Sequence, residues 1–135
     1  MKKTIICGAI LASLTLITAC QKSIEEQAVR EAKLYTEKNC PAKLEEGLVI
    51  DSMTFDVSTH TFAYYYTLSG VLDNDTIVDS HVVSDALLES LRNTTSMRAY
   101  KERGYRFRYV YHSATNPDKV LHDLVFTKED YQPNL

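Results

Sequence analysis

The sequence predicts an α+β domain: one four-stranded antiparallel sheet built from two hairpins, with helices on one face, in the order α-β-β-α-β-β. Three observations carry this expectation. Two stretches repeat apolar residues at helical spacing, four stretches alternate apolar and polar residues with period 2, and turn-forming residues separate the members of each alternating pair.

The first helix is predicted from Ser23, which with Glu26 three residues later has the form of a capping box, and Ile24, Ala28, Ala32 and Tyr35 then fall on one face. Asn39 and Pro41 end it. From Val49 to Val57 and from Phe62 to Leu68 the period is 2, with Met53, Phe55 and Val57 on one face of the first run and Phe62, Tyr64, Tyr66 and Leu68 on one face of the second. Ser58 to Thr61 makes the turn, and the expected register sets Val57 against Phe62, Phe55 against Tyr64 and Met53 against Tyr66.

A polar link, Asp73 to Ser80, leads to a second helix from about Ser84 that buries Leu87, Leu88 and Leu91. Asn93-Thr94-Thr95 interrupts it with poor helix formers, and Ser96 is placed to cap a further short helix that stops at Gly104. Tyr105, Phe107, Tyr109 and Tyr111 alternate with Arg106, Arg108, Val110 and His112. Asn116-Pro117-Asp118 turns the chain into a last strand with Val120, His122, Leu124 and Phe126 on one side. Pairing Tyr109 with His122 makes Arg108 and Asp123 cross-strand partners.

Residues 1–19 have the pattern of a secretory signal: Lys2 and Lys3, an apolar run from Thr4 to Ile17, and small Ala19 at the end. The run is shorter than the 18 to 20 residues that span a bilayer. Ile17-Thr18-Ala19-Cys20 resembles the lipobox of bacterial lipoproteins. The resemblance implies cleavage before Cys20, lipid on that cysteine and a single domain from 20 to 135. Each buried methylene of an acyl chain contributes about 0.8 kcal/mol, so several chains anchor firmly. Neither Gln21 nor Lys22 is the aspartate that retains lipoproteins in the inner membrane of some bacteria, which favours an outer membrane where the host has one.

Loss of residues 1–19 leaves 13 Lys and Arg against 18 Asp and Glu, a net charge near −5 that disfavours nucleic acid as a partner. With Cys7 in the signal and Cys20 lipidated, Cys40 has no partner within the chain. It is either buried beside Pro41 or paired with another molecule.

Several strings are similar to those of small envelope lipoproteins, many from Bacteroides-like bacteria: Asn39-Cys40-Pro41, Tyr64-Tyr65-Tyr66-Thr67-Leu68, Met97-Arg98, and Gly104 with Tyr109-Val110-Tyr111. Where some of those relatives carry cysteines near the end of the second helix and near the C-terminus, this chain has Thr94 or Thr95 and Tyr131. The resemblance implies fold and envelope location and brings no catalytic residues with it.

Candidate chemistry is sparse. His112 and His122 fall on opposite sides of their hairpin, and no His-x-x-x-His or Cys-x-x-Cys spacing occurs, so no metal site and no cofactor are predicted. His122 is expected in the core, bonded to a tyrosine hydroxyl, and His60 in a turn. His81 with Asp79 and Asp85 is the one acid/base grouping, without a nucleophile in context; helix-entry caps account for the same residues. Asp73, Asp75 and Asp79 lack the glycine and terminal glutamate of an EF-hand, and a solvated loop explains them.

Tyr65 is the tyrosine out of phase. It falls on the face opposite the helices with Arg106, Arg108, His112 and Asp123, and Tyr and Arg are favoured contact residues. A surface ion pair between Arg108 and Asp123 accounts for part of that set. Asp51-Ser52-Met53 and Asp75-Thr76-Ile77 resemble an O-glycosylation signal of Bacteroides-like organisms, and Thr76, in the polar link, is the better candidate because Ser52 falls within a predicted strand. The function expected is a membrane-anchored, non-enzymatic module that binds an envelope protein or component; the alternative is a small hydrolase or metal-dependent enzyme around His81.

Overall fold

The structure, a computed structural model, describes residues 22–76 and 80–132. The expected signal, residues 1–19, and Cys20 lie outside them. A helix α1 (22–39) is followed by β1 (Ala42–Glu45), β2 (Leu48–Asp56) and β3 (Thr61–Leu68), then by α2 (Ser80–Asn93), α3 (Arg98–Glu102), β4 (Arg106–Ser113), β5 (Val120–Phe126) and α4 (Lys128–Tyr131). The strands form one sheet in the order β1-β2-β3-β4-β5.

The α+β class stands, but the four-stranded antiparallel sheet is corrected to five strands of mixed direction. β1 is an added strand beside β2, turned back at Gly47, whose φ of 79° and approach to the Ser69 carbonyl leave no room for a side chain. The central pair, β3 and β4, runs parallel. Its cause is the crossover: α2 and α3 together carry the chain back to the end of the sheet where β3 began, so β4 starts level with Thr61.

This parallel register explains the aromatic alternation of both strands. Phe62 lies beside Phe107, Tyr64 beside Tyr109 and Tyr66 beside Tyr111, with ring centroids 5.8, 5.1 and 4.7 Å apart and planes within 13° of each other. Such pairs contribute about 0.5–1.5 kcal/mol each beyond their buried area. Ala28 and Ala32 of α1 and Leu91 of α2 belong to the same buried core. Leu87 and Leu88, expected inside, are half-buried.

Both hairpin registers differ from expectation by one pair. Phe55 faces Phe62, and Met53 faces Tyr64. The Asp56 carboxylate accepts bonds from the Ser58 N–H and hydroxyl, so the turn closes at Asp56 and Thr61, and Val57 is left exposed in it. Tyr111 faces His122, and Tyr109 faces Leu124. A two-residue slip returns every side chain to its own face, which is why the burial pattern could be right while the partners were not.

Two expected caps are also corrected. Lys22 is already helical, so Ser23 sits inside α1, and Met97 rather than Ser96 precedes α3, without a side-chain cap. The stretch before α3 is held instead by Lys101, whose buried ammonium donates to the carbonyls of Leu91, Arg92 and Thr94. α4 is fixed by hydrogen bonds: the Tyr131 hydroxyl donates to the Tyr105 carbonyl at 2.7 Å and Arg92 to the Asp130 carbonyl at 2.7 Å. α1 is tied down by Glu25 to His60, by Glu31 to the Tyr100 hydroxyl and by Thr36 to Met53.

Candidate functional site

The face of the sheet opposite the core carries Thr61, Ala63, Tyr65 and Thr67 of β3 and Arg106, Arg108, Val110 and His112 of β4, in register. Ala63 and Val110 are buried there, an apolar floor among longer polar side chains. All five residues expected on this surface, Tyr65, Arg106, Arg108, His112 and Asp123, are placed on it by the structure.

Arg108 meets Asp123 through two parallel bonds, Nε to Oδ1 at 2.8 Å and the terminal nitrogen to Oδ2 at 2.6 Å. They sit diagonally, since Val110 is opposite Asp123, and the length of the arginine spans the offset. The bonds from Arg108 hold the Asp123 carboxyl below its ordinary range, and the same bonds raise the guanidinium. Tyr65 stacks over His112 with centroids 6.4 Å apart, and the His112 ring contacts the Pro117 carbonyl through Nδ1 at 3.2 Å. Arg106 is exposed and has no ion-pair partner among the described residues.

Tyr65 divides two shallow hollows. One, of about 280 Å³, runs toward the β2–β3 turn between Arg106, Arg108, Thr54 and Asp56. The other, of about 470 Å³, lies between His112, Asp51, Ser52 and Thr67. Asp51 and Thr67, joined by a 2.7 Å bond, belong to this surface although strict alternation sets Asp51 on the same side as Met53. A bulge between Ile50 and Ser52 turns Asp51 outward and Ile50 into the core. Its only sequence signal is that a carboxylate at a core position needs an escape.

Ser52 apart, the other candidates lie away from this face. His81 and Asp85 are exposed one turn apart on α2, line neither hollow, and Asp79 lies outside the described residues. Asp73 accepts from the Thr115 N–H and hydroxyl, and Asp75 pairs with Lys119 at 3.0 Å; the acidic link is pinned to the β4–β5 turn, not merely solvated. His60 is in its turn, with φ of 50°, against Glu25 at 2.6 Å. His122 is buried with its Nε2 unpartnered, so the expected bond to a tyrosine hydroxyl is corrected: Tyr111, directly across on β4, meets the imidazole ring to ring, the two planes nearly perpendicular. Cys40 is half-buried. Thr76 is exposed and bonded to Asn74, whereas Ser52 is half-buried in β2. Among the described residues there is no group of three metal-ligating side chains and no helix long and apolar enough to cross a membrane.

A family model described as a domain of unknown function, DUF8479, matches residues 23–122. The chain belongs to that family. The match runs from α1 into β5 and so takes in Tyr65, Arg106, Arg108 and His112, with Asp123 one residue beyond it. No curated protein matches the sequence. Solved structures share the fold at low identity. A Pseudomonas aeruginosa protein described as secreted aligns at a TM-score of 0.67 and 13% identity over 82% of this chain and 91% of that one. The type II secretion system pilotin AspS of Vibrio cholerae aligns at 0.63 and 18%, over 84% and 97%. The type 2 secretion system pilotin EpsS of Vibrio vulnificus aligns at 0.65 and 11%, over 84% and 96%. The DUF8479 domain therefore has the fold of these three proteins.

Proposed function

We propose that this chain is a non-enzymatic binding module of the bacterial envelope, held to a membrane by lipid on Cys20, and that its uncovered sheet face meets an envelope protein. The observation that carries the reading is the convergence of Tyr65, Arg106, Arg108, His112 and Asp123 on that face. Its chemistry suits recognition. Tyr65 offers a broad ring already oriented by His112, Arg106 offers a charge not spent on an internal partner, and the Arg108–Asp123 pair fixes donors and acceptors in place. A fold shared with two secretion-system pilotins and a protein described as secreted supports work outside the cytoplasm in the service of another assembly.

Photo-crosslinking on intact cells tests the reading. A crosslinker at exposed Thr54, on the uncovered face, is expected to capture a discrete partner, and one at exposed Val29, on α1, is not. Equal capture from both positions, or from Val29 alone, sinks the assignment of the face.

A further inference from the structure

On the other side of the sheet, we infer that the cavity beneath the first half of α2 is a binding site for a neutral aliphatic amphiphile, a hydroxyl-bearing chain. The cavity measures about 360 Å³. That is within the range of small-molecule sites, about 300–1,000 Å³. Its walls are mainly aliphatic, with Leu48, Leu68 and Leu72 from the sheet side, Val82, Val83, Ala86 and Leu87 from α2, and the side chain of Tyr111 among them. The cavity is open to solvent on one side, so an aliphatic chain laid in it displaces water from apolar walls. Val82, two-thirds exposed, extends the apolar wall to the surface and gives a guest its way in.

Of the three residues with polar atoms in the wall, Tyr111, His122 and Glu45, the last two narrow the class of guest. His122 lies against the cavity, only 9% exposed, and makes no hydrogen bond to any described residue. Buried polar groups nearly always have a partner, so this ring is an exception that a ligand would resolve. The final torsion of a histidine side chain is soft, and the ring can present a nitrogen to a guest hydroxyl. Glu45 is the one charged residue of the wall. It repels a carboxylate or phosphate head, while an aliphatic lining penalises an ammonium that must enter it. A hydroxyl directed toward His122 and a chain running out along Val83 and Val82 give the imidazole a partner and cover the apolar wall, with Glu45 left to solvent at the exposed rim.

The test uses 1-octanol as the probe, with octanoate as its charged counterpart, on isotope-labelled protein followed by NMR. Octanol should give saturable shifts at the methyl groups of Leu72, Val83 and Leu87 and at the His122 ring nitrogens, and octanoate should bind at least ten-fold more weakly. Ala86→Trp and Val83→Trp, two independent ways of filling the cavity, should abolish those shifts, and His122→Phe should weaken octanol at least five-fold. The proposal is overturned by octanol that moves none of these signals, by octanoate binding as well as octanol, or by undiminished octanol binding in a folded cavity-filling variant.

Discussion

The Lys101 ammonium donates to the Leu91 carbonyl across 2.7 Å, and through this bond α3 closes the end of α2. Two further bonds from the same nitrogen, to Arg92 and Thr94, satisfy carbonyls that a helix end leaves without intrahelical donors. Lys101→Met keeps the length and removes the donor. Its expected cost is about 1.5–3 kcal/mol, the range for hydrogen bonds to charged groups. Urea unfolding monitored by circular dichroism measures it, and parental stability would show that water replaces the ammonium without loss.

Thr36 holds the edge of the sheet. Its hydroxyl accepts from the Met53 N–H at 2.8 Å and donates to the Met53 carbonyl at 2.8 Å, beyond the reach of β1, which pairs only with Leu48 to Ile50. Thr36→Val preserves shape and leaves both backbone groups without that partner. A loss of about 1–3 kcal/mol is expected. Amide exchange at Met53, faster in the variant than in the parent, would locate the effect.

The Arg108–Asp123 pair sets a pH dependence. Its bonds lower the Asp123 pKa in the folded chain, so its stabilisation is fully present above the unfolded value of about 3.9 and is lost as pH falls through the folded value. With both side chains about 40% exposed, the pair is a solvent-screened one worth about 0.2–1 kcal/mol. The melting temperature of Asp123→Asn should lie slightly below the parent's at pH 7, and the two should converge at about pH 2. A gap that persists unchanged at pH 2 would assign the loss to something other than the carboxylate.

Anchoring through Cys20 is tested by Cys20→Ala. The variant should leave the membrane fraction for the soluble one, whereas retention after a carbonate wash would require another element to hold it.

The faces of the strands were legible in the sequence because side-chain alternation survives any even slip in register. Tyr65, Arg106 and Arg108 could therefore be placed together without knowing their neighbours. The partners were not legible. Parallel pairing of Phe62 with Phe107 depends on where two helices return the chain, a property of segment geometry that no residue in either strand announces. Asp51 was missed because a single bulge reverses the alternation locally. Lys101 was missed because a lysine that serves the end of the preceding helix, through the carbonyls of Leu91, Arg92 and Thr94, looks in the sequence like any surface lysine. His122 was correctly expected inside, yet its lack of a partner depends on a cavity that only packing reveals.

The central claim is that Tyr65 and Arg106 contact a partner. Tyr65→Ala with Arg106→Ser removes a half-buried aromatic anchor and an exposed charge from the face turned away from the aromatic core. Surface changes away from special features shift stability by about 0.5 kcal/mol or less. The most direct measurement is the affinity of the double variant for the protein captured at Thr54, taken alongside its melting temperature. The account predicts parental melting and binding at least ten-fold weaker; parental melting with parental affinity would show that this face is only a solvated surface.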